Sequence, residues 1–145
     1  MSTPWLVIDM RLWHENLLKV LPRQQLLGQH RECCALRGAG WGKPHATVNY
    51  VFDHPKEWLY CYHIKVMSEM IRRGYHPGLE WMDIAYQGKN LPRKVYTKED
   101  NIRIDQINSK FYTKVYPEHN NRYLQECLDN LESKGIHIGK DDNID

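Results

Sequence analysis

No run in this chain approaches the ~20 consecutive apolar residues that a membrane-spanning helix needs, so no membrane partner is expected. Cysteine is sparse. Cys33, Cys34, Cys61 and Cys127 show no regular spacing, and two of them are adjacent. That is poor material for a disulfide framework, so all four read as reduced and mostly buried, in a cytoplasmic protein. No C-x2-C or H-x3–5-H pair accompanies the eight histidines, so neither a metal nor a cofactor is expected. His30-Arg31-Glu32 matches the H-x-E that opens the zinc deaminase signature, but the downstream P-C-x-x-C that would hold the metal is missing. A surplus of one charge sign is also missing. The net charge of +2 is too small to establish a nucleic-acid partner. It is unevenly spread, because Lys140 to Asp145 carries three Asp and one Lys, which leaves the body of the chain more basic. Before the short apolar run Trp5 to Ile8 there is no basic region, so residues 1–9 are expected to be an extension rather than a signal peptide.

What is present suits one compact domain. A chain of 145 residues is of single-domain size, and its 41% hydrophobic content includes five Trp and nine Tyr as bulky packing material. Helical spacing recurs in several segments. Asp9 could cap a helix from about Met10 to Val20, with Leu12, Trp13, Leu17 and Val20 inward. A second helix is expected from about Arg23 to Arg37, between Pro22 and Gly38. Gly38 to Pro44 is a glycine-rich basic loop. Such loops can cradle phosphate through backbone N–H groups, but this one matches neither the P-loop nor the dinucleotide fingerprint. His45 to Phe52 has strand propensity but few strand partners elsewhere, so a buried helix is expected there. Pro55 and Gly74 bracket the clearest helix, whose stripe is Leu59, Tyr62, Val66 and Met70, widened by Trp58, Met67 and Ile71. Residues 75–96 read as irregular, with a helical turn near Leu79 to Ala85. Thr97 to Asp100 reads as a helix start continued by Ile104, Ile107 and Phe111. A last helix is expected from Pro117 to Gly135, with Leu124, Cys127, Leu128 and Leu131 inward, followed by a disordered acidic tail over 139–145.

On the helix expected over 23–37, Gln25, Gln29 and Glu32 share a face at i, i+4 and i+7. Leu26, His30, Cys33 and Arg37 form a neighbouring stripe, and Gln24, Gly28, Arg31 and Ala35 form the other, which is nearly bare around Arg31. Glu32 beside Arg31 is therefore either a solvated ion-pair face, the usual state of exposed charge, or a site facing a ligand. Arg11, Arg23, Arg31, Arg37 and Lys43 could neutralise phosphates if they share a face; otherwise they are ordinary solubilising charge. Trp13, Trp41, Trp58 and Trp81 could stack on bases, although Trp58 reads better as core.

Three stretches together carry a resemblance. They are Met10-Arg11-Leu12-Trp13-His14, then Leu21 to Glu32 (LPRQQLLGQHRE), then His45-Ala46-Thr47-Val48-Asn49-Tyr50-Val51. With Ile71-Arg72-Arg73-Gly74-Tyr75, they resemble the pyrimidine dimer DNA glycosylases of the phage endonuclease V type, most closely their bacterial branch, over residues 10–138. The resemblance implies a monomeric all-helical enzyme that acts on lesion-containing double-stranded DNA. It would cut the glycosidic bond at a cyclobutane dimer and then break the strand as an apurinic-site lyase. The family's nucleophile is the α-amine of its N-terminal residue, and its catalytic glutamate follows an arginine about twenty residues on. Glu32 after Arg31 matches that pair, Arg11 matches the arginine after the nucleophile, and Met10 falls in the nucleophile's place. Arg11, Arg31, Arg23, Gln25 and Lys43 are the candidate DNA contacts. Two features depart from the pattern. Nine residues precede Met10, so its nitrogen is an amide unless Met10 is the mature N-terminus. The phage enzyme ends in an aromatic, basic segment, whereas this chain ends acidic, with Phe111, Tyr112, Lys114 and Tyr116 as the nearest substitutes. The competing reading is a catalytically silent helical module that binds DNA or another protein.

Overall fold

The computed structural model describes residues 11–44, 47–100 and 108–139; the extension with Met10, the Ile104–Ile107 segment and the acidic end from Lys140 lie outside them. Among the described residues there is helix and irregular chain and no strand, so the fold is all-α. Three α-helices lie wholly within these residues: α1 (Arg23–Arg37), α2 (Lys56–Arg72) and α3 (Asn121–Ser133). Short 3-10 helices occupy Glu15–Leu17, Asn49–Asp53, Leu79–Met82 and Asn108–Phe111. None of the helices is long and apolar enough to cross a membrane.

α1 has the bounds its punctuation predicts. Pro22 precedes its first turn, where a missing N–H costs nothing, and Gly38 N closes the far end on Cys34 O and Ala35 O. The chain then doubles back so tightly that a Cβ on Gly40 would sit 2.7 Å from Ala35 O, which only glycine avoids. α2 packs on α1 and buries the expected stripe of Leu59, Tyr62, Val66 and Met70 together with Met67. Ile71 departs from expectation. It lies in the last turn, beyond the cover of the neighbouring elements, and is 49% exposed. Gly74, at φ 87°, ends this helix in the left-handed region where glycine is favoured.

The expected helix over residues 10–20 does not form in its described part. Residues 11–14 have no regular secondary structure and lead into the 3-10 turn Glu15–Leu17. Leu12, Trp13 and Leu17 are buried as their spacing suggests. Their backbone, however, is held by side chains rather than by its own helix. Arg11 N and Trp13 N donate to Glu32 and Gln29, and Leu12 O and Trp13 O accept from Tyr123 and Tyr62. Buried backbone groups must be paired, and here side chains outcompete the i→i−4 ladder.

The segment expected as a buried helix at 45–52 is a 3-10 helix over Asn49–Asp53 with Val48 and Val51 inward; residues 45–46 lie outside the described set. The capping box at 97–100 is formed: Thr97 N donates to Asp100 Oδ2 at 3.1 Å and Asp100 N to Thr97 Oγ1 at 3.3 Å. α3 starts later than Pro117, at Asn121, because Asn120 caps it by accepting from Tyr123 N. The preceding residues turn inward instead, with Val115, Tyr116 and His119 fully buried, which also removes Tyr116 as a DNA contact.

Burial of histidine has a measurable consequence. Desolvation, followed by the charges of His14, Lys114 and Lys65, pushes the His119 imidazole down to about 3. His14, His30 and His63 are lowered too, each mainly by burial. The unfolded chain takes up protons below its ordinary imidazole pKa of ~6.5 that folded His119 refuses. This stability is therefore complete above pH ~6.5 and is lost as the pH falls, at up to about 1.4 kcal/mol per pH unit for His119 alone. The thermal midpoint is expected to drop steeply between about pH 7 and 5. A midpoint flat across that window would show that these imidazoles are not held neutral.

Candidate active site

The Gln25, Gln29, Glu32 face of α1 turns toward the irregular segment 11–13, not toward open solvent. Gln29 is fully buried and Glu32 half-buried, so the solvated-face alternative does not describe them. Glu32 Oε2 accepts from Arg11 N at 3.0 Å and from Gln29 Nε2 at 3.3 Å. Gln29 bridges the segment at two points. Its Nε2 donates to Arg11 O at 2.9 Å, and its Oε1 accepts from Trp13 N at 2.6 Å. The Tyr62 hydroxyl, from α2, lies 2.9 Å from the same Oε1 and 2.6 Å from Trp13 O. The Tyr123 hydroxyl, from α3, donates to Leu12 O at 2.5 Å. Three helices thus clamp residues 11–13 against one carboxylate. A cleft of about 550 Å³ opens beside them, walled by Arg11, Thr47, Tyr50, Tyr123, Glu126 and Asn130. A slightly larger cavity, about 610 Å³, lies elsewhere and is walled by residues such as Glu15, Tyr60 and Arg72.

The basic candidates separate. Arg11 is half-buried with its guanidinium 5.4 Å from the Trp13 ring centroid. Arg31 is exposed and lies back over Gly28, where a Cβ would meet Arg31 Nη2 at 3.6 Å, so the bare stripe serves to seat this side chain. Arg23 is exposed over Tyr75, and Gln25 is half-buried on the Glu32 face two turns earlier. Lys43 is exposed in the glycine loop. Trp41 in that loop packs edge-on against Phe52 instead of standing free.

Arg37 is no phosphate contact. It is buried, with Nη1 donating to Trp81 O at 2.7 Å and Nη2 donating to Asp83 O and Tyr86 O. The second N–H of Nη1 meets His63 Nδ1 at 2.9 Å. Its place in the apolar stripe with Leu26, His30 and Cys33 was the sequence signal for this burial.

Beyond Arg37 sits a cluster that spacing did not reveal, because His63 comes from α2. The ligating atoms of His30, Cys34 and His63 all lie within 4.8 Å of one another. The surroundings nevertheless oppose a metal. Arg37 donates only, so His63 Nδ1 must accept and Nε2 carries the proton. Nε2–H then donates to His30 Nδ1 at 2.8 Å. A metal-bound histidine needs an acceptor for its second nitrogen, and here that place is held by a guanidinium. Burial also pushes the Cys34 thiol up to about 11, so it is neutral beside the two imidazoles. The cluster is a neutral hydrogen-bonded relay that ties α1 to α2 and, through Arg37, to residues 81–86.

Among the described residues the fold is all-helical, and it pins residues 11–13 onto Gln29 and Glu32 of α1. The family model for pyrimidine dimer DNA glycosylase matches residues 10–83, half of the chain, and the protein belongs to that family. No curated protein and no solved structure matches the chain.

Proposed function

We propose that this protein excises cyclobutane pyrimidine dimers from double-stranded DNA and then cuts the strand as a lyase, with the α-amine of Met10 as nucleophile in a form that begins there. The observation that supports this most is the 3.0 Å hydrogen bond from Arg11 N to Glu32 Oε2. The α-nitrogen of residue 10 is only three covalent bonds from Arg11 N, so an amine there would work within reach of this carboxylate. The family match beginning at residue 10 agrees with that register.

The chemistry is consistent. An α-amine has an ordinary pKa of ~8, so a useful fraction is neutral near pH 7. The amine attacks the sugar C1′, the glycosidic C–N bond breaks, and the base leaves with its electron pair. The leaving base takes one proton from the amine; the nitrogen lone pair then breaks the C1′–O4′ bond, O4′ takes the other proton as the sugar ring opens, and an imine remains. Glu32 then takes a proton from C2′, and the electrons released expel the 3′ phosphate oxygen in β-elimination. Water hydrolyses the imine and frees the amine. Arg11, Arg31, Arg23, Gln25 and Lys43 contact the duplex, with the cations on phosphates.

These contacts set a test by salt. Four phosphate-bound cations imply a log–log salt slope of roughly −3 to −4. Affinity for a dimer-containing duplex should therefore fall roughly 100- to 600-fold over a fivefold rise in salt. Binding that does not change with salt would remove the DNA reading.

A further inference from the structure

We propose that Gln29, held by Tyr62, is the positioning residue that keeps the start of the reactive segment and Glu32 in a fixed mutual geometry. This rests on the reading of Glu32 given above. The carboxamide of Gln29 has no freedom left. Trp13 N can only donate, so it fixes Oε1, and the Tyr62 hydroxyl approaches the same oxygen. The amide's two protons face Arg11 O and Glu32 Oε2, at 2.9 and 3.3 Å. One fully buried side chain therefore touches both reacting parties: the backbone adjoining residue 10 and the carboxylate proposed to move the proton.

A purely structural glutamine would not need the contact with Glu32. The two bonds to Arg11 O and Trp13 N imitate one rung of a β-ladder and suffice to hold the segment. The additional donor, 3.3 Å from Glu32 Oε2, orients the carboxylate relative to the segment. Tyr62 sits one step further out. Its hydroxyl spans Gln29 Oε1 and Trp13 O, so it fixes the orientation of the amide without approaching Glu32 itself.

The test compares Gln29→Met, Tyr62→Phe, Glu32→Gln and the two double variants with Glu32→Gln. Cleavage of dimer-containing duplex is read on whichever N-terminal form of the protein cleaves it. Misplacement of a reacting group by about 1 Å costs roughly 100-fold. Gln29→Met should therefore lose kcat by about that factor with KM little changed, and Tyr62→Phe should lose less. Because both act through Glu32, neither should lower activity further in the Glu32→Gln background. In the full chain, amide exchange at Arg11 and Trp13 should accelerate in Gln29→Met while the amides of α1 stay protected. If Gln29→Met does not fold, Tyr62→Phe, which keeps the core volume, carries the same comparison. Losses that multiply with that of Glu32→Gln would overturn the proposal, as would near-normal kcat in both single variants. Full activity of Glu32→Gln itself would instead overturn the role of Glu32, and the proposal with it.

Discussion

Glu32→Gln is expected to bind dimer-containing duplex as well as the parent protein does and to cleave it about 10²–10⁴-fold more slowly, the contribution a general acid–base group makes. The substitution is nearly isosteric. The amide oxygen can still accept from Arg11 N, so the 3.0 Å tie between α1 and the segment 11–13 survives. What disappears is the negative charge and with it the ability to take a proton from C2′. Binding is spared because phosphate contacts come from cations, and removing an anion beside exposed Arg31 does not weaken them. The comparison needs a fold control, since Glu32 is also a structural acceptor. A variant that unfolds would show the carboxylate to be there for the fold. A folded variant with full cleavage would remove Glu32 from the chemistry.

Sequence reading found this region through its punctuation and faces. Pro22 and Gly38 gave α1 its ends, and the i, i+4, i+7 spacing put Gln29 and Glu32 on one face. It could not say what that face meets, because the partner, residues 11–13, adopts no periodic structure. Leu12, Trp13, Leu17 and Val20 have spacing compatible with a helix, yet the segment is irregular, held by side chains 16 to 111 residues away. Local periodicity carries no information about such long-range hydrogen bonds. Arg37 failed in the opposite direction. Its apolar stripe was legible, but charge favoured a surface role, and only the carbonyls of Trp81, Asp83 and Tyr86 explain its burial. The relay of His30, Cys34 and His63 was invisible because two helices supply it.

The central claim is that the nucleophile is an amine at residue 10, and its most direct test is covalent trapping. Borohydride reduces an imine between protein and sugar to a stable crosslink. A protein beginning at Met10 and the full chain beginning at Met1 are each incubated with dimer-containing and abasic duplex in its presence. In the full chain the nitrogen of Met10 is an amide, whose lone pair is delocalised into the carbonyl and cannot form the imine. Its nearest free α-amine is nine residues away, and efficient reaction needs the atoms held within ~3–3.5 Å. The account predicts strong trapping of the Met10 form and a yield at least about 100-fold lower for the full chain, with mass spectrometry placing the crosslink on the Met10 nitrogen. Equal trapping of both forms, or a crosslink mapped to a lysine, would contradict it. Duplex binding with no trapping of either form would make the protein a silent DNA-binding module.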